Sequence, residues 1–227
     1  MLGSAGGPRK ALPLLGADDF YIINGDTLAD VDLAALATQH VETGALVTMA
    51  VVDDRSLVAH NGGVVTDSRG IVHGFVPRGP AAVGYHFVGV QMAHPSVFAG
   101  LTADEPAESV AEVYRALIAG RPGSIRAFLA DGAFWDVGTP ADYLETALAI
   151  GRTEGAPSVQ VERGSYIDPS ARVTHSVIWE DATIGAGAIL DRCVVADSVR
   201  IPAGSRFTHC AIIQSGDELV VTEMSGG

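Results

Sequence analysis

Residues 166–216 read YIDPSARVTHSVIWEDA, TIGAGAILDRCVVADSV and RIPAGSRFTHCAIIQSG. Laid in three rows, they align without a gap at a period of 17 residues. Ile167, Ile184 and Ile201 form one column, Val173, Leu190 and Phe207 a second, and Ile178, Val195 and Ile212 a third. Within a row the apolar columns stand 6, 5 and 6 residues apart. That pattern describes three short strands per turn of a triangular coil with one tight corner. A fixed short repeat of this kind is the signature of a β-helix, whose stacked coils bury a continuous apolar column. Parallel pairing would stack the coils about 4.8 Å apart. His175, Arg192 and His209 fall in one column, beside Ser176, Cys193 and Cys210. They read as a surface ladder of polar residues next to a ladder of small ones, and not as a metal site or a disulfide.

The pattern changes upstream. Residues 153–165 are poor in large apolar side chains, contain Gly155, Pro157 and Gly164, and read as a linker between a domain over 1–152 and the β-helix with its tail over 166–227. Within 1–152, strand-like and helix-like segments alternate, which argues for an α/β sheet. Phe20-Tyr21-Ile22-Ile23 suits a buried parallel strand that runs into Asn24-Gly25-Asp26. Asp32 is a good N-cap for a helix from Leu33 to about Glu42. Leu46 to Val52 and Tyr85 to Met92 read as strands, and Gly62 to Val76 as a hairpin turning at Asp67-Ser68-Arg69-Gly70. Ser109 to Ala119 reads as a helix stopped by Gly120 and Pro122. Ile125 to Leu129 and Ala133 to Val137 are strand-like. Thr139-Pro140 then opens a helix, with Thr as N-cap and Pro at the first helical position.

Two carboxylates draw notice. Asp26 follows a glycine at the end of a strand, the edge of an α/β sheet where ligands bind. Asp136, in Phe134-Trp135-Asp136-Val137-Gly138-Thr139-Pro140, again stands at a strand end, directly before a helix N-terminus that attracts phosphate. Two carboxylates together with substrate phosphate oxygens are the usual means of holding Mg²⁺. The bland alternatives are a loop aspartate at 26 and a helix-terminus charge at 136. Gly3-Ser4-Ala5-Gly6-Gly7 is a glycine-rich loop before a helix expected from Pro8, and such loops let the backbone approach a nucleotide closely.

With 14 Lys and Arg against 27 Asp and Glu, the formal net charge is −13. Such a surface repels phosphate backbones, so neither a nucleic acid nor an anionic membrane is expected as a partner. No apolar run approaches the roughly 20 residues of a spanning helix, and the N-terminus lacks the apolar core of a signal peptide. Only two cysteines point to a reducing compartment. The expectation is a cytoplasmic protein.

Leu2-Gly3-Ser4-Ala5-Gly6-Gly7, FYIINGDTL at Phe20 to Leu28, YHFVGVQ at Tyr85 to Gln91 and FWDVGTPADYL at Phe134 to Leu144 resemble, in order and spacing, the sugar-phosphate nucleotidyltransferases. The resemblance implies an incomplete Rossmann-like α/β nucleotidyltransferase domain followed by a short left-handed parallel β-helix. It implies transfer of a nucleotide from a nucleoside triphosphate to a sugar 1-phosphate, giving an NDP-sugar and pyrophosphate. By the same resemblance Asp26 and Asp136 bind Mg²⁺, Gly3 and Gly6 lie against the nucleotide base, and Gly63 and Gly89 line the sugar and phosphate pocket. The β-helix would mediate assembly, so a complete protein is expected to form a homo-oligomer. Two departures matter. Residues 1–20 carry no match to the family's Gly-rich Thr-Arg-Leu segment that wraps the triphosphate. The expectation is therefore an N-terminally truncated member, without its first βα units and inactive as it stands. Where the family often has Glu-Lys-Pro, this chain has Val76-Pro77-Arg78, and Arg78 is the residue that stands in as the phosphate contact. A non-catalytic regulatory or sugar-nucleotide-binding relative is the competing reading. A β-helix acyltransferase is the weakest, because most of the chain is not β-helix.

Overall fold

The structure is a computed structural model and describes residues 1–224. The chain begins with α1 (Gly3–Leu15) and β1 (Phe20–Ile23), passes β2 (Thr27–Ala29), and enters α2 (Leu33–Thr43). The Asp32 carboxylate caps α2 by accepting from Ala35 N–H at 2.9 Å, and Gly44 closes it in the left-handed conformation. β3 (Val47–Val52), α3 (Arg55–Asn61), and the hairpin β4 (Gly63–Thr66) and β5 (Val72–Val76) follow. At the hairpin turn, Asp67 Oδ1 accepts from the N–H groups of Arg69 and Ile71, both at 2.9 Å. Chiefly through the Ile71 bond, its carboxyl is held down at about 2. Then come β6 (His86–Ala93), α4 (Ser96–Ala99), a π-helical turn over Ser109–Val113 that runs into α5 (Tyr114–Gly120), β7 (Ile125–Leu129) and β8 (Phe134–Asp136).

The central sheet of this first unit, residues 1–134, has the order β1-β6-β3-β7. All six residues of β3 are buried because both faces of the sheet are covered. Val47, Met49 and Val51 pack with Phe98, Tyr114 and Ile125, while Ala50 and Val52 pack with Leu36 and Val90. The sheet is mixed: β3 is parallel to β7 but antiparallel to β6. The expectation of a buried parallel strand at residues 20–23 is corrected. β1 is an edge strand, antiparallel to β6, with alternate residues exposed. The aromatic and β-branched run made it resemble a core strand, but one of its faces meets solvent. Pro8 does not open α1 either. The helix starts at Gly3, with both prolines inside it.

The second unit, residues 135–227, is described through residue 224. It opens with α6 (Pro140–Thr153), whose capping box pairs Thr139 with Asp142. Within the segment read as a linker, β9 (Val159–Val161) already pairs in parallel with β12 (Ser176–Ile178). The remaining strands are β10 (Tyr166–Ile167), β11 (Arg172–Thr174), β13 (Thr183–Ile184), β14 (Ile189–Val195), β15 (Arg200–Ile201), β16 (Arg206–Ser215) and β17 (Glu218–Glu223). They wind into a β-solenoid of about three turns whose parallel registers match the 17-residue period. Ile167 meets Ile184 and Ile184 meets Ile201, Val173 meets Leu190 and Leu190 meets Phe207, and Val195 meets both Ile178 and Ile212.

The short five-residue step is made by a residue in the left-handed region. His175, Arg192 and His209 have φ of +45°, +53° and +50° and are all exposed. Beside them Ser176, Cys193 and Cys210 point inward and are buried. The two sulfurs stand 3.7 Å apart as free thiols, and burial pushes both thiols up, Cys210 to about 12. A further column, Val177, Val194 and Ala211, faces outward and is covered by Leu144 and Leu148 of α6. Among the described residues no helix is long and apolar enough to cross a membrane.

Candidate functional site

The glycines at the start of α1 are set by a close approach of backbones. A β-carbon at Gly3 would lie 2.6 Å from Ala107 O, and one at Gly6 2.6 Å from Glu105 O. The N–H groups of Ala5 and Gly6 donate to Ala107 O at 2.9 and 3.3 Å, so this tertiary contact satisfies two of the first-turn donors. Ser4 Oγ donates to Glu108 Oε2 at 2.7 Å and accepts from Ser109 N–H at 2.8 Å. The expected glycine-rich loop is thus a helix start clamped to residues 105–109.

This clamp forms one wall of a cavity of about 550 Å³. Gly3, Ser4 and Asn24 line it; Ile22, Phe87 and Val110 supply apolar surface, and Gln91 and Arg115 supply polar groups. Arg115 also sits over the Phe75 ring, 5.8 Å from its centroid. Phe87 and Val110 are shared with a smaller neighbouring cavity of about 170 Å³, which Gly63 lines. Gly62 is in close contact with the segment after β5: a β-carbon there would lie 2.7 Å from Val76 O and 3.4 Å from Arg78 N. Arg78 itself is exposed.

Gly89, at φ +76°, fixes the turn that carries Asp26. Asn24 N–H donates to Gly89 O at 2.9 Å, and any side chain at 89 would strike the Asn24 side chain at 2.9 Å. Asp26, two residues on, is exposed. Asp136 is exposed at the end of β8, where its Oδ1 accepts from Gly138 N–H at 3.1 Å. Asp26 belongs to the first unit and Asp136 to the second. Both offer hard carboxylate oxygens, a donor type that suits Mg²⁺ when substrate oxygens complete the shell. Among the described residues no group of three or more His, Cys, Asp and Glu is placed to hold a metal ion by itself.

The nucleotidyl transferase family matches residues 1–153. The chain belongs to that family. A GlmU-like C-terminal hexapeptide domain matches residues 155–209, and the solenoid is consistent with the left-handed β-helix of hexapeptide repeats. A mannose-1-phosphate guanylyltransferase of Mycobacterium tuberculosis is 28% identical over 218 residues, covering 89% of this chain and 59% of that relative. A probable mannose-1-phosphate guanylyltransferase 3 of Oryza sativa subsp. japonica is 26% identical over 212 residues, covering 88% of this chain and 56% of that relative. The chain thus spans less than two thirds of the length of these relatives. HddC from Yersinia pseudotuberculosis, solved in complex with GMP-PN, shares the fold with a TM-score of 0.54 at 22% identity, over 66% of this chain and 63% of that one.

In this nucleotidyl transferase domain, the structure brings together Gly3, the Asn24 turn and Gly89, with Gly63 in the adjoining cavity. Sequence reasoning missed Gln91, Ser109 and Arg115. Gln91 carried a readable signal: it is a lone amide inside the apolar run Phe87 to Met92, on a strand whose neighbours are buried.

Proposed function

We propose that the domain over residues 1–153 binds a nucleoside triphosphate and a sugar 1-phosphate and joins them into an NDP-sugar, with release of pyrophosphate. The observation that carries this reading is the 550 Å³ cavity lined by Gly3 and Ser4 at the start of α1 and by Asn24 at the end of β1, in a chain of this family. The guanylyltransferase names of the relatives make GTP and mannose 1-phosphate the first pair to test.

An oxygen of the sugar phosphate attacks the α-phosphorus of the triphosphate. A new phosphorus–oxygen bond forms, the bond to the β-bridging oxygen breaks, and the electron pair leaves with pyrophosphate. Such a transfer asks the protein for positioning and charge compensation more than for covalent chemistry. Gly3 and Gly6 let the base lie against backbone. Gly63, Gly89 and Arg78 receive the sugar phosphate, Arg78 as a forked donor to phosphate oxygens. Asp26 and Asp136 are the carboxylates that would hold Mg²⁺, which supplies positive charge to the phosphate oxygens.

One observation favours the second reading, a non-catalytic nucleotide-sugar binder. The Ala5 and Gly6 N–H groups are already donated to Ala107 O and cannot cradle a phosphate. A screen of nucleoside triphosphates against sugar 1-phosphates, read as pyrophosphate released, separates the two. Release that Asp26→Asn and Asp136→Asn each lower by about 100-fold or more supports transfer. Nucleotide binding with no release for any pair moves the chain to the second reading, and absence of binding overturns both.

A further inference from the structure

Gln91 is the polar group sunk deepest in the cavity wall. It lies on β6 between Ile22 of β1 and Met49 of β3, is 3% exposed, and borders the cavity. Its amide is not free to turn. Tyr114 Oη donates to Gln91 Oε1 at 2.7 Å. The phenol is itself fully buried, and burial pushes its pKa up, so it remains a donor at every ordinary pH. The π-helical turn helps place it: residues five apart share a face in such a turn, and Ser109 and Tyr114 both point inward. With Oε1 committed, the Nε2 amide group has no protein partner among the described residues and is left as a donor for whatever occupies the cavity.

The rest of the wall suits a flat ring. Ile22, Phe87 and Val110 offer apolar surface, and Gly3 adds bare backbone to the wall. A buried donor in such a wall accepts an acceptor atom and rejects another donor, because two facing N–H groups leave both unsatisfied. Guanine O6 and uracil O4 are acceptors at ring positions where adenine and cytosine carry amino donors.

We propose that Gln91, held by Tyr114, reads the base of the bound nucleotide: Nε2 donates to a ring carbonyl oxygen and so selects keto bases over amino bases. This rests on the nucleotide-binding reading above. Gln91 is the specificity-determining residue and Tyr114 a positioning residue that never touches the ligand.

The test is calorimetric titration of the 227-residue chain with GTP, ATP, UTP and CTP, in the parent and in Tyr114→Phe. The substitution keeps the ring and removes the hydroxyl, so the amide can flip and present Oε1. The parent is expected to favour GTP over ATP, and UTP over CTP, by about 10- to 100-fold. In Tyr114→Phe both ratios are expected to fall at least severalfold, with ATP and CTP binding improved. A merely structural role for Tyr114 would weaken all four nucleotides alike. Gln91→Leu provides a second arm: it should weaken GTP and UTP by about tenfold or more and leave ATP and CTP little changed. Bound nucleotides with preferences unchanged in both variants overturn the base-reading proposal and leave nucleotide binding standing. A parent chain that binds none of the four overturns both.

Discussion

Gly6 and Gly7 are neighbours in α1, yet a methyl group at each meets a different environment. At Gly6 it would stand 2.6 Å from Glu105 O and 3.2 Å from the Leu2 β-carbon, so backbone would have to move. At Gly7 nothing lies within 4 Å. Gly6→Ala is therefore expected to destabilise the first unit by about 1–3 kcal/mol, the usual result of overpacking. Gly7→Ala should stabilise it by about 0.5–1 kcal/mol, since glycine is a poor helix residue in open space. Urea denaturation of the two variants beside the parent measures both signs. If Gly6→Ala proves as stable as Gly7→Ala, then the close approach of α1 to residues 105–107 does not hold in solution. The contrast also bears on function. Gly6 is needed for packing whether or not a base lies against it, so loss of binding in a Gly6 variant would not by itself assign it to the nucleotide. Gly3 is in the same position, with a β-carbon 2.6 Å from Ala107 O.

At the scale of elements, α2 closes onto β3 through a buried imidazole. His40 is 1% exposed, with Nδ1 2.8 Å from Thr48 Oγ1 and Nε2 3.4 Å from Asp19 Oδ2. Burial lowers its pKa from 6.5; Asp19 pulls it partly back up, and His94 adds to the lowering. A folded pKa below the unfolded one means that the native state resists the proton. The corresponding stability is complete above about pH 6.5 and is lost as pH falls through the folded value. The urea midpoint is expected to drop as the pH falls below about 6.5, and His40→Gln, which cannot titrate there, should reduce the drop. Equal drops in both proteins would remove His40 as the cause.

Elements with a local signal were legible in the sequence: Asp32 before α2, Thr139-Pro140 before α6, the Asp67 turn, and the solenoid columns. What was not legible depended on partners distant in sequence. Phe20 to Ile23 does not say that β1 is an edge. The α1 start needs Ala107 O, and Gly3-Ser4 looked like a loop without it. Val177 beside Ile178 held a hint, since adjacent apolar residues on one strand mean that both faces are covered, but α6 as the cover is a tertiary fact. For the same reason Asp26, Gly3 and Gly89 could be proposed from local motifs, while Tyr114 bonding to Gln91 could not be read from the sequence.

At the scale of the whole molecule, two separate cores carry the chain: the double-faced sheet of the first unit, and the solenoid column of the second with its outer face under α6. A solenoid has ends, and unpaired parallel strands at an end are a template for other chains. The segment Glu218-Leu219-Val220-Val221 closes one of them. After Gly216-Asp217, with Gly216 at φ +61°, β17 turns back and pairs antiparallel with β16 from Ser215–Glu218 to Cys210–Glu223. Leu219 packs on the solenoid core. Glu218 and Glu223 place charge at both ends of the new edge, which discourages further pairing. Ile213 and Val220, opposite each other and 50% and 42% exposed, form a small apolar spot there. Ending the chain after Ser215 would uncover β16 along six paired positions and expose the core beneath Leu219. The truncated protein is expected to sediment as larger, heterogeneous species that grow with concentration and to unfold at lower temperature than the full chain. A sedimentation profile and unfolding midpoint that match those of the full chain would mean that β17 is an ornament on a solenoid whose last coil is stable bare.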